Sequence, residues 1–167
     1  MTALPRSNVR LGLLIALAVV LLDQASKFWI LARVRLPDLG RIELSPVFDL
    51  SFVANRGVSF GLFQADQGWA QLLLILVSGA IAAFFAYWLR SAQRALTVVS
   101  LGLVIGGAAG NLIDRARFGY VVDFLDFSGL HFPWVFNVAD AGITVGAALL
   151  MLDFLRSGEL TATPERN

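Results

Sequence analysis

The sequence predicts an all-α membrane protein with four transmembrane helices and a small β element at one membrane surface. Of its 167 residues, 57% are hydrophobic and only 15% are charged, and the mean hydropathy is +0.74. Soluble globular domains are less apolar and carry about 25% charged residues. The apolar residues are concentrated in four long runs, so we expect one integral membrane domain that comprises residues 1–167.

The four apolar runs are each close to the roughly 20 residues that a helix needs to cross a ~30 Å hydrocarbon core. The first run ends among polar residues, from Asp23 to Lys27, so its second half is expected at the interface. The second and third runs contain no charge and are separated only by residues 90–94, which predicts an antiparallel hairpin. The predicted spans are residues 11–31, 67–89, 95–113 and 137–155.

A β element is predicted between the first two spans, at about residues 35–63. Phe48, Leu50 and Phe52 alternate with polar residues, and apolar side chains at every second position are typical of a half-buried strand. The segment is too short for a separate domain, so we expect it to lie on the membrane surface. Residues 117–133 are too short and too mixed in composition to span, and we expect them to loop back toward the membrane.

The orientation follows from the positive residues near the span ends. Four spans place both termini on the same side, but Lys and Arg are nearly equally divided between the two sides. The short loop of residues 90–94 carries two Arg and no acid, and Arg6, Arg10 and Arg156 lie at span ends. Because short cytoplasmic loops are enriched in Lys and Arg, we expect both termini to be cytoplasmic.

The residue counts exclude several classes of function. The chain has no Cys and a single His, His131, which excludes a disulfide framework, a thiolate site and a multi-histidine metal centre. The formal net charge is +1, and the thirteen Lys and Arg form no block, so no nucleic-acid partner is expected. We expect no metal and no cofactor, and the expected partners are membrane lipids and an apolar substrate.

Glycine recurs every four residues in the third span, at Gly102, Gly106 and Gly110, and again in the fourth span, at Gly142 and Gly146. A helix face without side chains lets a neighbouring backbone approach closely. These glycines predict that the third and fourth spans pack tightly against each other. Such packing would hold the polar ends of the two helices close together.

Two aspartates indicate acid–base chemistry at a membrane surface. Asp140 directly precedes the uncharged residues 141–152, and Asp123 lies between apolar neighbours. A carboxylate in or near hydrocarbon costs several kcal/mol and is rarely kept without a function. If Asp123 returns beside Asp140, the two carboxylates share a proton, and one can take a proton from water while the other donates to a leaving group.

The residue pattern leaves alternatives open for Asp123. It could form a structural ion pair with Arg115 or Arg117, and Asp126, three residues further on, could replace it in either role. These alternatives concern the same segment, and the pattern of residues does not decide between them.

The further polar candidates are Asp23, Asn55, Asn111, Asp114, Arg115 and Asn137. Asn111 and Asp114 are three residues apart and share a helix face; with Arg115 they could also be an interfacial ring of polar anchors. Asn55, two residues before Gly57, could serve only in a turn. Asp23 could merely anchor its helix to the lipid headgroups.

Five motifs resemble, in order and spacing, those of the bacterial lipoprotein signal peptidases, also called type II or prolipoprotein signal peptidases. They are Leu22-Asp23-Gln24 with Ser26-Lys27, Asn55-Arg56-Gly57 with Phe60, Gly110-Asn111-Leu112-Ile113-Asp114-Arg115, Val122-Asp123-Phe124 and Phe136-Asn137-Val138-Ala139-Asp140. Each motif alone is weak, but five in this order on a four-span chain are specific. The resemblance covers nearly the whole chain.

This resemblance implies an aspartic endopeptidase of the bacterial inner membrane, with four helices and a β-cradle on its outer, periplasmic face. Its substrates would be diacylglyceryl-modified prolipoproteins, cleaved just before the lipidated Cys. By motif position Asp123 and Asp140 look like the catalytic pair, and the six further polar candidates look like residues that surround the pair and hold the substrate backbone. We expect a monomer whose site faces the periplasm and works without metal or cofactor.

Two other classes of function provide alternatives. A small proton-coupled transporter or channel subunit would use Asp23, Asp114 and Asp140 as a proton relay, but four spans without an inverted repeat or a broken helix argue against it. A non-enzymatic assembly or chaperone-like membrane protein would depend on the glycine faces alone.

Overall fold

The computed structural model describes residues 6–57 and 68–161. Residues 58–63 of the predicted β element, which include Phe60, and residue 67 of the second predicted span lie outside the described residues. In the described part of the chain, four helices are long and apolar enough to cross a membrane. The predicted fold class, a four-helix membrane protein with a small β element, is confirmed.

Two pairs of strands separate the helices along the chain. α1 comprises Arg6–Phe28 and continues as a π-helical segment at Trp29–Val34, and the short α2 comprises Leu36–Leu39. Strands β1 and β2 comprise Arg41–Ser45 and Phe48–Asn55, and helices α3 and α4 comprise Gly68–Leu89 and Ala95–Phe118. Strands β3 and β4 comprise Val121–Asp126 and Val135–Phe136, and α5 comprises Val138–Thr161.

The strands form one antiparallel sheet in the order β1–β2–β3–β4. The segment of residues 117–133, predicted to loop back, contributes β3 to the middle of this sheet. In the register of β2 and β3, Val53 lies opposite Asp123 and Asn55 lies opposite Val121. The sheet therefore holds Asp123 in a fixed position beside the helix ends.

The sheet packs on one end of the helix bundle, here called the sheet end. Buried apolar side chains from the π-helical segment after α1 and from α2, β2 and β3 form the core of this contact: Ile30, Leu36, Leu50, Val122 and Phe124. The opposite end, here called the loop end, contains residues 90–94. There Arg94, the residue directly before α4, forms an ion pair with the buried Asp153 of α5, with 3.1 Å between Nη2 and Oδ1.

Helix α4 is the central helix, because it is the most buried of the four and α1, α3 and α5 all pack on it. The predicted close packing of α4 and α5 is confirmed, because a Cβ added at Gly146 of α5 would lie 2.8 Å from the carbonyl oxygen of Ser100 in α4. The glycine repeat of α4 itself, however, faces α1. A Cβ added at Gly106 would lie 2.6 Å from the carbonyl oxygen of Ala16 in α1, and Gly102 meets α1 in the same way. Gly107, one position further, meets Ala139 of α5. Each face of this central helix contacts a different neighbour, and the face that carries Gly102 and Gly106 contacts α1.

We predict that Gly106→Ala destabilises the protein, because the added methyl group cannot fit without moving α1. Overpacking of this kind costs about 1–3 kcal/mol. Thermal unfolding in detergent measures the effect. Gly79→Ala in α3 is the matched control, since a Cβ there would lie 4.0 Å from its nearest neighbour, a methyl carbon of Leu112. Equal melting temperatures for the two variants would contradict the close contact between α1 and α4.

Candidate active site

The two aspartates singled out by the sequence lie together at the sheet end. Asp123 is on β3 with 1% of its surface exposed, and Asp140 is in the first turn of α5 with 8% exposed. One carboxylate is thus held by a sheet and the other by a helix N-terminus. The partial positive charge of a helix N-terminus favours a negative charge, which suits Asp140 as the ionised member of a pair.

Asn137 links the two aspartates. Its Nδ2 donates to Asp123 Oδ1 over 2.6 Å, and its Oδ1 accepts a hydrogen bond from the backbone N–H of Asp140 over 2.9 Å. The second contact is an N-cap, in which a side-chain oxygen binds an N–H that the first turn of a helix leaves without a backbone partner. The same side chain therefore starts α5 and orients Asp123.

Each carboxylate also receives an amide donor of its own. Asn111 Nδ2 donates to Asp140 Oδ1 over 2.8 Å, and Asn55 Nδ2 donates to Asp123 Oδ2 over 2.9 Å. The turn role of Asn55 is present as well, because its Oδ1 accepts the N–H of Gly57 over 3.0 Å. The turn thus fixes the amide that Asn55 presents to Asp123.

The environment of Asp123 disfavours its charged form. Burial, together with the negative charge of Asp140, raises the pKa of Asp123 to about 7. The amide hydrogen bonds from Asn55 and Asn137 act in the opposite direction but do not outweigh burial. A carboxyl group whose pKa lies near neutral pH, close to a second carboxyl group, is suited to general acid–base catalysis.

Behind the pair lies a buried ion cluster of Asp23, Lys27 and Asp114. Lys27 Nζ is 2.8 Å from Asp23 Oδ2 and 2.8 Å from Asp114 Oδ2, and all three side chains are at most 2% exposed. Asp23 Oδ1 also accepts the backbone N–H of Ala139 over 3.0 Å, and Asp114 Oδ2 accepts that of Val122 over 3.0 Å. The cluster therefore ties α1 and α4 to β3 and to the start of α5.

Arg115 does not neutralise Asp123 directly. Its Nη2 donates to the carbonyl oxygen of Gly57 over 2.9 Å, and Arg117 Nη1 donates to Gln24 Oε1 over 3.3 Å. Among the described residues neither arginine forms an ion pair with Asp123. The alternative of a structural ion pair at Asp123 is therefore wrong, and Arg115 instead holds the segment that follows β2.

Asp126 cannot take the place of Asp123. The two residues are three positions apart on β3, and successive side chains of a strand point to opposite faces. Asp126 Oδ2 accepts the hydroxyl of Ser51 over 2.6 Å, and its Oδ1 accepts the N–H of Ser128 over 2.9 Å. Its polar contacts thus belong to the far end of the sheet.

Lys27 is the residue that the sequence analysis missed as part of the site. The sequence predicts Lys27 at the membrane interface, whereas the structure buries it. A charged residue four positions after Asp23 in an apolar helix was an available signal, because side chains at that spacing face each other. Its other partners, Asn111 and Asp114, are too distant in sequence to have been identified.

An apolar cavity of about 370 Å³ lies between α3, α4 and α5 and reaches the site. Its wall includes apolar side chains such as Val77, Phe85 and Ile143, and the polar residues Asn111 and Arg115 also line it. An apolar ligand bound in this cavity would have one end beside Asn111. Within the described ranges, no three His, Cys, Asp or Glu side chains come together as a metal site would require.

The sequence matches a known family over most of its length. The family model for signal peptidase (SPase) II matches residues 15–156. The chain is 51% identical over 147 residues to a lipoprotein signal peptidase of Caulobacter vibrioides, covering 87% of this chain and 86% of that protein. It is 46% identical over 148 residues to one of Methylorubrum extorquens, covering 88% of this chain and 86% of that protein.

The fold is also similar to solved structures. A bacterial membrane enzyme determined at 2.3 Å resolution superposes with a TM-score of 0.79 at 26% sequence identity, covering 93% of this chain and 94% of that chain. A second bacterial membrane enzyme, determined at 1.9 Å resolution, superposes with a TM-score of 0.71 at 29% identity, covering 86% of this chain and 92% of that chain.

Proposed function

The chain belongs to the signal peptidase II family, and from this premise we propose that Asp123 and Asp140 are the catalytic pair of an aspartic endopeptidase. The protein is a multi-pass membrane protease that removes signal peptides from prolipoproteins. One observation supports the aspartic mechanism: the Asn137 side chain joins the buried carboxyl group of Asp123 to the backbone of Asp140, and the pKa of Asp123 is raised to about 7.

In the proposed reaction Asp123 carries the shared proton and Asp140 is ionised. Asp140 takes a proton from water, the water oxygen attacks the scissile carbonyl carbon, and Asp123 donates its proton to the carbonyl oxygen. As the tetrahedral intermediate collapses, the C–N bond breaks and the leaving amine takes a proton from the pair. The amide groups of Asn55, Asn111 and Asn137 hold the two carboxyl groups in place.

We further propose that the substrate is diacylglyceryl-modified and is cleaved just before the lipidated Cys. The apolar cavity that reaches Asn111 and Arg115 supports this proposal, because an apolar part of the substrate could enter from the bilayer and leave the scissile bond beside the pair. The remaining polar candidates, Asp23 and Asp114, support the site from behind through Lys27.

A synthetic prolipoprotein peptide tests the substrate proposal. We expect the purified protein to cleave the diacylglyceryl form, and the mass of the products to place the cut directly before the lipidated Cys. The matched control is the same peptide with an unmodified Cys, for which we expect kcat/KM to be at least about tenfold lower, as for loss of a substrate group that fills an apolar site. Equal cleavage of both peptides, or a cut elsewhere, would contradict this proposal.

The pH dependence of cleavage is a separate prediction. Below about pH 7 Asp123 holds the proton, and above it the proton is lost and both carboxylates are ionised. We therefore expect kcat/KM, which reports the free enzyme, to fall about tenfold for each pH unit above that value. The measurement is the initial rate of cleavage from about pH 5 to about pH 9. A rate that keeps rising through the alkaline range would show that the protonated carboxyl is not needed.

We propose that the protein lies in the inner membrane as a monomer, with both termini in the cytoplasm and the sheet end in the periplasm. Substrate then enters laterally while water reaches the site from the periplasm. The loop of residues 90–94 at the loop end carries Arg90 and Arg94 and no acid, which supports the cytoplasmic placement of this end. All the proposed site residues belong to one chain, and we propose that residues 1–167 form a single membrane domain.

Cysteine labelling tests this orientation, because the chain has no Cys of its own. Glu43 on β1 and Ser91 in the loop after α3 are both exposed, so single Cys substitutions there are accessible. With a membrane-impermeant thiol reagent on spheroplasts we expect labelling of Glu43→Cys and none of Ser91→Cys until the membrane is permeabilised. The reverse pattern would overturn the proposed topology.

The transporter alternative is not favoured. Its proton relay would include Asp23 and Asp114, yet both carboxylates are bound to Lys27 in a buried ion cluster. The family to which the chain belongs is a protease family.

A further inference from the structure

We infer that Lys27 is a positioning residue for the cleavage reaction. It orients the side chain of Asn111 so that the NH₂ group faces Asp140. This inference rests on the proposed catalytic role of Asp123 and Asp140. Lys27 lies near the end of α1 with 2% of its surface exposed. Its ammonium group contacts Asp23, Asp114 and Asn111. Its charge also lowers the pKa of Asp123, but less than the hydrogen bonds from Asn55 and Asn137 do. We therefore expect Lys27 to act mainly through Asn111.

The hydrogen bonds of Asn111 carry the inference. An asparagine side chain has one acceptor oxygen and one donor NH₂ group, whereas an ammonium group has donors only. Asn111 Oδ1 lies 3.3 Å from Lys27 Nζ and 3.2 Å from Asn137 Nδ2, so it accepts from two donors. The NH₂ group is consequently left to donate to Asp140 Oδ1 over 2.8 Å. If the carboxamide rotated by half a turn, its NH₂ group would face the donors Lys27 Nζ and Asn137 Nδ2, and its oxygen would face the Asp140 carboxylate.

The carboxylates around Lys27 explain why its loss would matter. Asp23 and Asp114 together hold the ammonium group between α1 and α4. Without the ammonium group, these two buried carboxylates would need other donors. Gln24 Nε2 already donates to both carboxylates, over 3.1 Å to Asp23 and 2.9 Å to Asp114. The NH₂ group of Asn111 is a further donor that could turn toward them, and Asp140 would then lose its hydrogen bond. Lys27 thus keeps the donor of Asn111 available to Asp140.

The test is a double-mutant cycle on lipopeptide cleavage with Lys27→Met and Asn111→Ala. We expect Lys27→Met to lower kcat roughly 10- to 100-fold, as for a catalytic group that is slightly misplaced, with KM changed less than about twofold. In the Asn111→Ala background the same substitution should lower kcat by less than about threefold, because the side chain through which Lys27 acts is gone. An unchanged kcat for Lys27→Met, or equal losses in the two backgrounds, would overturn the inference.

Two further variants separate positioning from general destabilisation. Arg94→Met removes a cation from the Asp153 ion pair at the loop end, and we expect it to lower the melting temperature without lowering kcat; a comparable loss of kcat there would overturn the inference. Where Lys27→Met does not fold, Asp23→Asn with Lys27→Met keeps one net negative charge in the cluster. Its kcat should be roughly 10- to 100-fold below that of Asp23→Asn alone, and equal values would count against Lys27.

Failure of this inference can be told apart from failure of the proposed function. If Asp140→Asn retains normal turnover, the catalytic pair itself is wrong. If the aspartate variants are inactive while Lys27→Met has normal turnover, only the role of Lys27 is wrong.

Discussion

Replacing either Asp123 or Asp140 with Asn will abolish cleavage and leave a folded, membrane-inserted protein. An amide has the shape of the carboxyl group but cannot exchange the proton that the reaction requires. We expect kcat to fall by at least about 10³-fold in each single variant. The measurement is lipopeptide cleavage by purified variants, with the melting temperature as a check of folding.

The double variant and a neighbouring aspartate make this test specific. When two groups act as one unit, removing either of them removes the function of both. The double variant Asp123→Asn with Asp140→Asn should therefore be about as inactive as either single variant. Asp126→Asn is the matched control on the same strand, because its contacts are with Ser51 and Ser128. Near-normal turnover in either Asp123 or Asp140 variant, or an equal loss in Asp126→Asn, would contradict the assignment.

Substituting Asn137 by Ala should produce the next largest loss. The substitution removes the donor to Asp123 Oδ1 and the cap on the Asp140 N–H. We expect kcat to fall about 10²-fold, the magnitude seen when one preorganised hydrogen-bond donor is removed from an active site. The lost cap should also lower stability by about 1 kcal/mol. Cleavage kinetics and thermal unfolding measure the two effects separately.

Asn137→Ser distinguishes capping from orientation of Asp123. Serine is a good N-cap residue, so this variant should recover most of the stability lost in Asn137→Ala. Its short side chain cannot bridge to Asp123, so kcat should remain low. If serine also restored turnover, Asn137 would act only by starting α5, and the bridge between the two aspartates would have no catalytic role.

The membrane helices were predictable because their signal is local. A run of about 20 apolar residues is read directly from the chain and needs no knowledge of its neighbours. The carboxylates of Asp123 and Asp140 were conspicuous for the same reason, since each is an acid among apolar residues. The resemblance then selected Asp123 over Asp126, and the alternation of faces along β3 supplies the physical reason for that choice.

The features that could not be predicted depend on contacts between distant parts of the chain. β3 pairs with β2, in which Asn55 precedes its partner Val121 by more than sixty residues, and no pattern within β3 indicates that partner. The glycine repeat in α4 showed a smooth face but could not show that α1 would cover it. Lys27 looked like an interfacial charge until Asp114 and Asn111 were brought beside it.

The site joins residues from nearly the whole length of the chain, from Asp23 in α1 to Asp140 in α5. During synthesis α5 is the last of the described helices to leave the ribosome. Before it is made, Asp123 has neither Asn137 nor a second carboxylate beside it. On the proposed mechanism, a nascent chain that has inserted only its first three helices cannot hydrolyse a peptide bond, so translation that stops early releases an inert membrane protein into the cell.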